Sequence, residues 1–501
     1  MTLELILRDL PWEGDFDYEA ECILRLFFPG EKIAILHQPQ TPEGDWVSVE
    51  LTPQGEGVAI SLGVQLNSGE IQARDMVLPS QAAVGGMEWE AERRLCLLLF
   101  DALCQLTGTR PPWGILTGVR PVRLCRKLLG ELGSLSAVRE ALIQQYQVLP
   151  QKAELALSTL QAQKEILAGN TRSSYSLYVG IPFCPTRCLY CSFVSHAIDK
   201  AGKLVPDYLE LLCRELEEIA AVASRLGLEL RTVYIGGGTP TTLEPNQLTR
   251  LLGQIETSFP LSGISEYTVE AGRPDSISRE KLKVLRDFGI SRISINPQAL
   301  DDVVLRAIGR AHTAQETLEA VALAREMGFD NINMDLIAGL PEQTPGSFAH
   351  SLEQVMALNA ENITIHTLTV KRSSDLRASM GADAYDSGAY SLADLLAQSQ
   401  EKLRGAGYLP YYLYRQQGTR QNQENTGFSR PGKEGLYNIY SMEDAHTILA
   451  AGAGAVTKLC GAPDKMRRGF NYKYPYEYIS GFGEILNRKR QITEFYKEET
   501  P

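Results

Sequence analysis

The sequence predicts an α/β protein: a partial (β/α)6 barrel, preceded by an extra N-terminal α+β domain and followed by a C-terminal region of different composition. Three observations predict it. Between residues 170 and 385, six short apolar runs alternate with longer helical patterns. Glycines and polar residues gather where those runs end. The first run opens into "YVGIPFCPTRCLYCSF", residues 178–193, which places three cysteines within eight positions.

A chain of 501 residues exceeds one ordinary domain, and an apolar share of 44% supplies large cores. Residues 1–165 begin with the β-like runs "EKIAILH", "WVSVELT" and "GVAISLGVQL". Helical patterns follow, clearest in "WEAERRLCLLLFDALCQL", apolar on one face and charged on the other. No catalytic motif stands in this region, and the Arg-rich "LTGVRPVRLCRKLL" reads as a solvated helix start.

The barrel runs from 170 to 385. Its expected strands are "SLYVGIPF", "RTVYIGGG", "SEYTVEAG", "SRISINPQ", "NINMDLIAG" and "ENITIHTL", separated by patterns such as "DYLELLCRELEEIAAVASRL". Strand then helix, repeated, requires parallel strands joined by right-handed crossovers. Six units fall short of a closed eightfold barrel. The GGGT turn, Glu270, Gln298 and Asp335 fall at the C-terminal ends of strands, where such barrels place ligands. Residues 386–501 open with the helical "SLADLLAQSQEKLRGAGY"; the Gly, Asn and Tyr-rich "QENTGFSRPGKEGLYNIY" and the run "ILAAGAGAVTK" read as loops near a cleft or as ordinary turns.

The 49 basic and 61 acidic residues give a charge of −12, which argues against nucleic acid as a partner. No apolar run reaches the ~18 residues of a membrane span. The beginning, "MTLELILRDLPWEGDFD", turns acidic too early for a signal peptide, so the expected location is cytoplasmic. In a reducing compartment Cys22, Cys96, Cys104, Cys125, Cys213 and Cys460 read as small buried hydrophobes.

Cys184, Cys188 and Cys191, spaced C-x3-C-x2-C, need another account. Three thiolates can bind three irons of a [4Fe–4S] cube and leave the fourth iron open to a substrate. The competing use is a zinc site completed by a fourth ligand such as His196. A cluster serving electron transfer alone normally takes a fourth cysteine, and none lies nearby.

The motif, with Tyr190 before its third cysteine, matches the radical S-adenosylmethionine (SAM) signature. With "YVGIPF" before it and Phe193 after it, the chain resembles the oxygen-independent coproporphyrinogen III oxidase-like family over roughly residues 175–460. Its length and extra N-terminal region resemble the HemZ-type branch. The resemblance implies a [4Fe–4S] cluster on Cys184, Cys188 and Cys191, one or two SAM molecules, and an electron donor such as flavodoxin or ferredoxin. It implies SAM contacts from Tyr178, Tyr190, Gly237, Gly238, Thr239, Glu270, Gln298, Arg310 and Asp335. His312 and His366 read as satisfied polar residues, and no catalytic side chain is assigned.

The reaction implied is oxidative decarboxylation of coproporphyrinogen III: a hydrogen leaves a propionate β-carbon, carbon dioxide and an electron follow, and a vinyl group remains. Two rounds give protoporphyrinogen IX. Phe193 stands where the oxidase branch has a fourth cysteine, a feature shared with haem chaperones. "QENTG", the counterpart of the chaperones' His-Asn element, lacks the histidine. Haem binding or trafficking with a retained cluster, or another radical reaction on a tetrapyrrole, are therefore the alternatives. Arg372, Arg377, Arg415 and Arg430 are the expected suppliers of a basic surface for an anionic substrate.

Overall fold

The computed structural model describes residues 2–8, 16–36, 44–79, 86–192, 195–371, 374–376, 390–416, 419–461 and 465–498. They fall into two compact units. One holds Met1–Leu157 and Arg415–Gln423; the other holds Ser158–Gly381, Ala389–Tyr414 and Glu424–Pro501.

The first unit is a five-stranded sheet in the order β2-β1-β3-β4-β5. Its strands are β1 (Thr2–Arg8), β2 (Lys32–Leu36), β3 (Trp46–Gln54), β4 (Gly57–Leu66) and β5 (Gly69–Val77). β1 runs parallel to β2 and β3, while β3, β4 and β5 form an antiparallel meander. Val47, Val49 and Leu51 of β3 alternate into the core. The helix Gly86–Thr107 covers β4 and β5. The expected runs form β2, β3 and β4. The added β5, "GEIQARDMV", is an edge strand whose outward residues are charged or polar, so its composition conceals it.

The second unit carries an eleven-stranded sheet in the order β14-β15-β13-β12-β11-β10-β9-β6-β16-β17-β18. All six expected strands are present: β6 (Ser174–Ile181), β9 (Glu229–Gly237), β10 (Glu266–Gly272), β11 (Arg292–Ile295), β12 (Ile332–Ala338) and β13 (Asn362–Thr367). They pair in parallel, and helices such as Val205–Arg225, Ala314–Glu326 and Pro345–Ala357 lie between them in sequence. Thr313 with Glu316 and Thr344 with Ser347 form capping boxes that start two of these helices. A two-residue pair, β7 (Phe183–Cys184) and β8 (His196–Ala197), sits at the end of β6.

The C-terminal region corrects the loop reading. β14 (Leu409–Arg415) and β15 (Glu424–Ser429) extend the sheet beyond β13, and every residue of β15 is buried. On the other side β16 (Thr447–Ala451) runs parallel to β6, followed by the antiparallel β17 (Val456–Cys460) and β18 (Met466–Phe470). The parallel run therefore has seven strands. "ILAAGAGA" looks like a turn because its residues are small, but smallness is what the packing demands. Gly452, at φ +98°, lies so close to β6 that a Cβ there would stand 2.4 Å from the Gly180 carbonyl oxygen.

A buried polar network fixes β16 to the C-terminal helices. Glu215, fully buried, accepts from Lys489 Nζ at 2.6 Å, Asn471 Nδ2 at 2.7 Å, the Tyr478 hydroxyl at 2.6 Å and the Gly452 N–H at 2.8 Å. Among the described residues no helix is long and apolar enough to cross a membrane.

Candidate functional site

The barrel's C-terminal rim gathers what the sequence nominates. Cys184 ends β7, and Cys188 and Cys191 lie on the loop between β7 and β8. Cys188 is buried, and Cys184 and Cys191 are partly exposed. Thr239 Oγ1 lies 3.5 Å from Cys184 Sγ. Burial pushes the Cys184 thiol above its ordinary value, against hydrogen bonds from Thr239 and Ser195 and the nearby Arg273 cation. Among the described residues no three His, Cys, Asp or Glu side chains gather closely enough to share one metal ion. Thiolates on separate irons of a cube stand wider apart than the ligands of one zinc ion. The His196 ring, named as a fourth zinc ligand, lies edge-on to Tyr474 with centroids 5.9 Å apart.

The glycine turn after β9 presses on this loop. The Gly238 N–H donates to Ile181 O at 2.7 Å and the Thr239 N–H to Phe183 O at 2.8 Å. A Cβ on Gly238 would stand 2.6 Å from Phe183 O and 3.0 Å from Cys184 Sγ. Glycine is there because backbone and sulfur already occupy that space.

Glu270, two residues before the end of β10, accepts a short hydrogen bond from the Tyr234 hydroxyl. Burial raises its carboxyl to about 7; Asp335 adds to the rise, while the Tyr234 hydroxyl and the Gly237 N–H oppose it. Tyr234 stacks on Tyr437 with centroids 4.3 Å apart, and Tyr178 lies parallel to Tyr234 at 6.3 Å. Tyr437 belongs to the helix Leu436–Glu443, whose first N–H groups are capped by Glu266.

Gln298 lies three residues beyond β11, and Arg310 follows the next short helix, Asp302–Ala307. Arg310 donates to Asn296 O at 3.1 Å and to the Tyr190 hydroxyl at 3.0 Å, tying this segment to the cysteine loop. On β12, Asp335 accepts from Asn333 Nδ2 at 2.8 Å and lies 3.7 Å from His366 Nε2; His366 Nδ1 is 3.4 Å from the Tyr414 hydroxyl. Burial alone would raise the Asp335 carboxyl, but His366, Asn333 and Thr364 outweigh it and hold it below the ordinary value. Two neighbouring carboxyls are thus pushed apart, Glu270 up to about 7 and Asp335 below its ordinary value.

Asn296 Oδ1, Gln298 Oε1 and Arg310 Nε are buried without a hydrogen-bond partner. Buried polar atoms are nearly always paired, so this cluster is a built but unfinished set of contacts. An amino-acid sulfonium with an attached ribose offers what it lacks: a carboxylate for a guanidinium, and an amine and hydroxyls for amide and carboxylate oxygens. The residues fit SAM.

Some expectations need correcting. His312 is not a satisfied polar residue: it is buried with both ring nitrogens unpaired, and burial with Arg310 and Arg273 nearby lowers it to about 4. Arg415 is buried and committed to the first unit, where it stacks on Trp113 at 5.6 Å and donates to Leu116 O. Arg430 follows β15 where that strand meets the start of β13, away from the rim, and stacks on Tyr408. Neither supplies a basic surface at the site. Arg372, Arg377 and Phe193 lie outside the described residues. Of the other cysteines, Cys22, Cys96, Cys125 and Cys213 are buried and Cys104 and Cys460 partly so. Tyr234, Tyr437, Asn296 and Arg273 carry no local signal that would nominate them.

Residues 178–355 match the radical SAM superfamily. Over 482 residues, 95% of both chains, the protein is 34% identical to the oxygen-independent coproporphyrinogen-III oxidase-like protein HemZ of Bacillus subtilis. The heme chaperone HemW of the same organism is 40% identical over 197 residues, 39% of this chain and 51% of that one. The solved structure of the radical SAM enzyme coproporphyrinogen III oxidase (HemN) from Escherichia coli aligns with a TM-score of 0.50 and 26% identity, covering 65% of this chain and 72% of that one.

Proposed function

We infer the function of this chain from the family to which it belongs, the oxygen-independent coproporphyrinogen-III oxidase-like proteins of the radical SAM superfamily. Its cofactors are those of the superfamily, a [4Fe–4S] cluster and SAM. We propose that the protein performs the oxygen-independent oxidative decarboxylation of coproporphyrinogen III to protoporphyrinogen IX. The 34% identity to an oxygen-independent coproporphyrinogen-III oxidase-like protein over 95% of both chains supports this reading, and the unpaired Gln298 Oε1 and Arg310 Nε support the SAM site it needs.

In it, Cys184, Cys188 and Cys191 hold the cluster and leave one iron open. With the cluster and SAM bound, the site would have the one-electron chemistry that hydrogen abstraction needs. The protein's own task is positional. Arg310 neutralises a carboxylate, Gln298 and Asp335 take amine or hydroxyl donors, and Glu270 binds as a carboxylate oriented by Tyr234. Tyr178, Tyr234 and Tyr437 fill the barrel beneath and exclude water. A one-electron donor such as flavodoxin or ferredoxin would supply the reducing electron.

The 40% identity to HemW over 197 residues supports a second reading, haem binding and transfer with a retained cluster. One experiment separates the two. Reconstituted protein is incubated anaerobically with SAM, a reductant and coproporphyrinogen III. Protoporphyrinogen and 5′-deoxyadenosine appearing together support the oxidase; stoichiometric haem binding without product supports the chaperone.

A further inference from the structure

Arg273 follows β10 directly and is 3% exposed. Its Nε and Nη2 fork onto Asp275 at 2.9 and 2.5 Å. Its Nη1 donates to both the carbonyl oxygen and the hydroxyl of Thr186, at 3.0 and 2.5 Å. Thr186 is the central residue of the segment between Cys184 and Cys188, and it lies at the surface over the buried guanidinium. The mounting is rigid. Ser276 Oγ donates to the Arg273 carbonyl at 2.8 Å, and the Asn296 N–H holds the preceding Gly272 at 2.6 Å.

We infer that Arg273 is a positioning residue that clamps the Cys184–Cys188 segment to the barrel rim, with Asp275 as its orienting partner. A planar guanidinium is suited to this because its donors are fixed in a fork: one edge is spent on the carboxylate while the remaining nitrogen grips the loop. A carbonyl and a hydroxyl held by the same nitrogen define both the height and the rotation of Thr186. That fixes where the chain enters Cys188 and leaves Cys184. Two further tethers act beyond Cys188, at Leu189, whose N–H donates to Ile308 O at 3.1 Å, and at Tyr190 through Arg310. Between the first two cysteines the Arg273 clamp is the buried contact; Arg187, the next residue, reaches Asp375 at 3.9 Å in an exposed ion pair. Preorganising it in the cluster-free chain would lower the ordering cost of cluster assembly. The inference rests on the cysteine loop being the cluster site and is independent of which tetrapyrrole reaction follows.

The test uses the cluster-free full chain under reducing conditions. Iodoacetamide alkylation is followed separately at each cysteine by mass spectrometry. Arg273→Met should speed alkylation of Cys184 and Cys188 on the order of tenfold, the change expected for losing a charged hydrogen bond. Cys96 and Cys213, buried elsewhere, should keep wild-type rates. Arg273→Lys should fall between, since one ammonium cannot serve both Asp275 and Thr186. Wild-type rates at Cys184 and Cys188 in folded Arg273→Met would overturn the clamp. If all cysteines speed up together, the fold itself has loosened and Thr186→Val decides: it removes only the hydroxyl contact and should still accelerate Cys184 and Cys188 selectively, with no acceleration overturning the proposal. Because no cluster or substrate is present, a failed decarboxylation assay leaves this result standing, and the reverse also holds.

Discussion

The main-chain N–H of Gln298 donates to the Asp335 carbonyl at 2.9 Å while Gln298 sits at φ +68°. The Ile337 N–H returns to Gln298 O at 3.0 Å, so β11's exit is stitched onto β12. A side chain other than glycine in this region costs about 1–2 kcal/mol and persists where the site needs it. Gln298→Gly should therefore hold or raise thermal stability while weakening SAM binding, because the unpaired amide oxygen is lost. Unfolding scans and anaerobic titration calorimetry read the two effects separately; unchanged SAM affinity would remove Gln298 from the site.

Gly238→Ala puts a methyl 2.6 Å from Phe183 O and 3.0 Å from Cys184 Sγ. Neither neighbour can yield without moving the cysteine loop. We expect a cost of about 1–3 kcal/mol and a loss of bound iron. Gly130, inside the helix Pro121–Leu132 with open space around it, is the control. Gly130→Ala should hold full iron and be slightly stabilised. Equal iron in both variants would contradict the close approach.

The proposed SAM contact from Glu270 predicts that SAM binding depends on pH. Its carboxyl, raised by burial to about 7, binds hydroxyls or an amine best when ionised. Affinity should climb as pH rises through 7 and level off above it. Stability should move the opposite way. The folded-state value lies above the ordinary 4.5, so the contribution from protonation is complete below 4.5 and is lost as pH climbs through about 7. Glu270→Gln, fixed in the neutral form, should flatten both profiles. A wild-type affinity that is constant from pH 6 to 8 would rule out the carboxylate as a contact.

The six central strands were legible because parallel strands buried on both faces read as continuous Val, Ile and Leu runs between capped helices. β15 was not. Glu424, Asn425 and Thr426 look like loop residues and are buried only because distant partners receive them: Asn425 Oδ1 accepts the Thr367 N–H at 3.0 Å, and Gln400 Nε2 donates to Glu424 at 2.9 Å. β16 was hidden by the small residues its close approach to Gly180 requires. Polar residues within or just past apolar strand runs stand out, and that exposed Glu270 on β10, Asp335 on β12 and Gln298 beyond β11. Tyr437 reaches Tyr234 from a helix some two hundred positions later, and no local pattern encodes that. The basic surface sought in Arg415 and Arg430 failed because an arginine's stacking partner is a tertiary fact.

Lys489→Met should destabilise the second unit by about 3–5 kcal/mol, since Glu215 is fully buried and would keep a charge without its cation. Adding Glu215→Gln should restore much of that loss. Denaturant unfolding of the two variants decides it: a double variant no more stable than Lys489→Met would mean the network is held by packing and not by charge.

Arg310 offers the sharpest probe of the cofactor arrangement. Buried, with one nitrogen on Asn296 O, one on the Tyr190 hydroxyl and Nε unpaired, it can grip a carboxylate only by adding to contacts it already has. Lysine keeps the charge and loses the planar geometry. Arg310→Lys should keep most cluster iron, since Arg273 on Thr186 and the Leu189 N–H on Ile308 O still hold the cysteine loop, and lose most product formation. The resemblance to the oxidase branch implies two SAM molecules, with Tyr190, Thr239, Gln298, Arg310 and Asp335 beside the second. Anaerobic equilibrium dialysis should then find two equivalents bound to the wild type and one to Arg310→Lys, with the surviving site held by Tyr178, Gly237 and Glu270. A single equivalent in both proteins would place Arg310 outside any second site and weaken the case for decarboxylation against haem transfer.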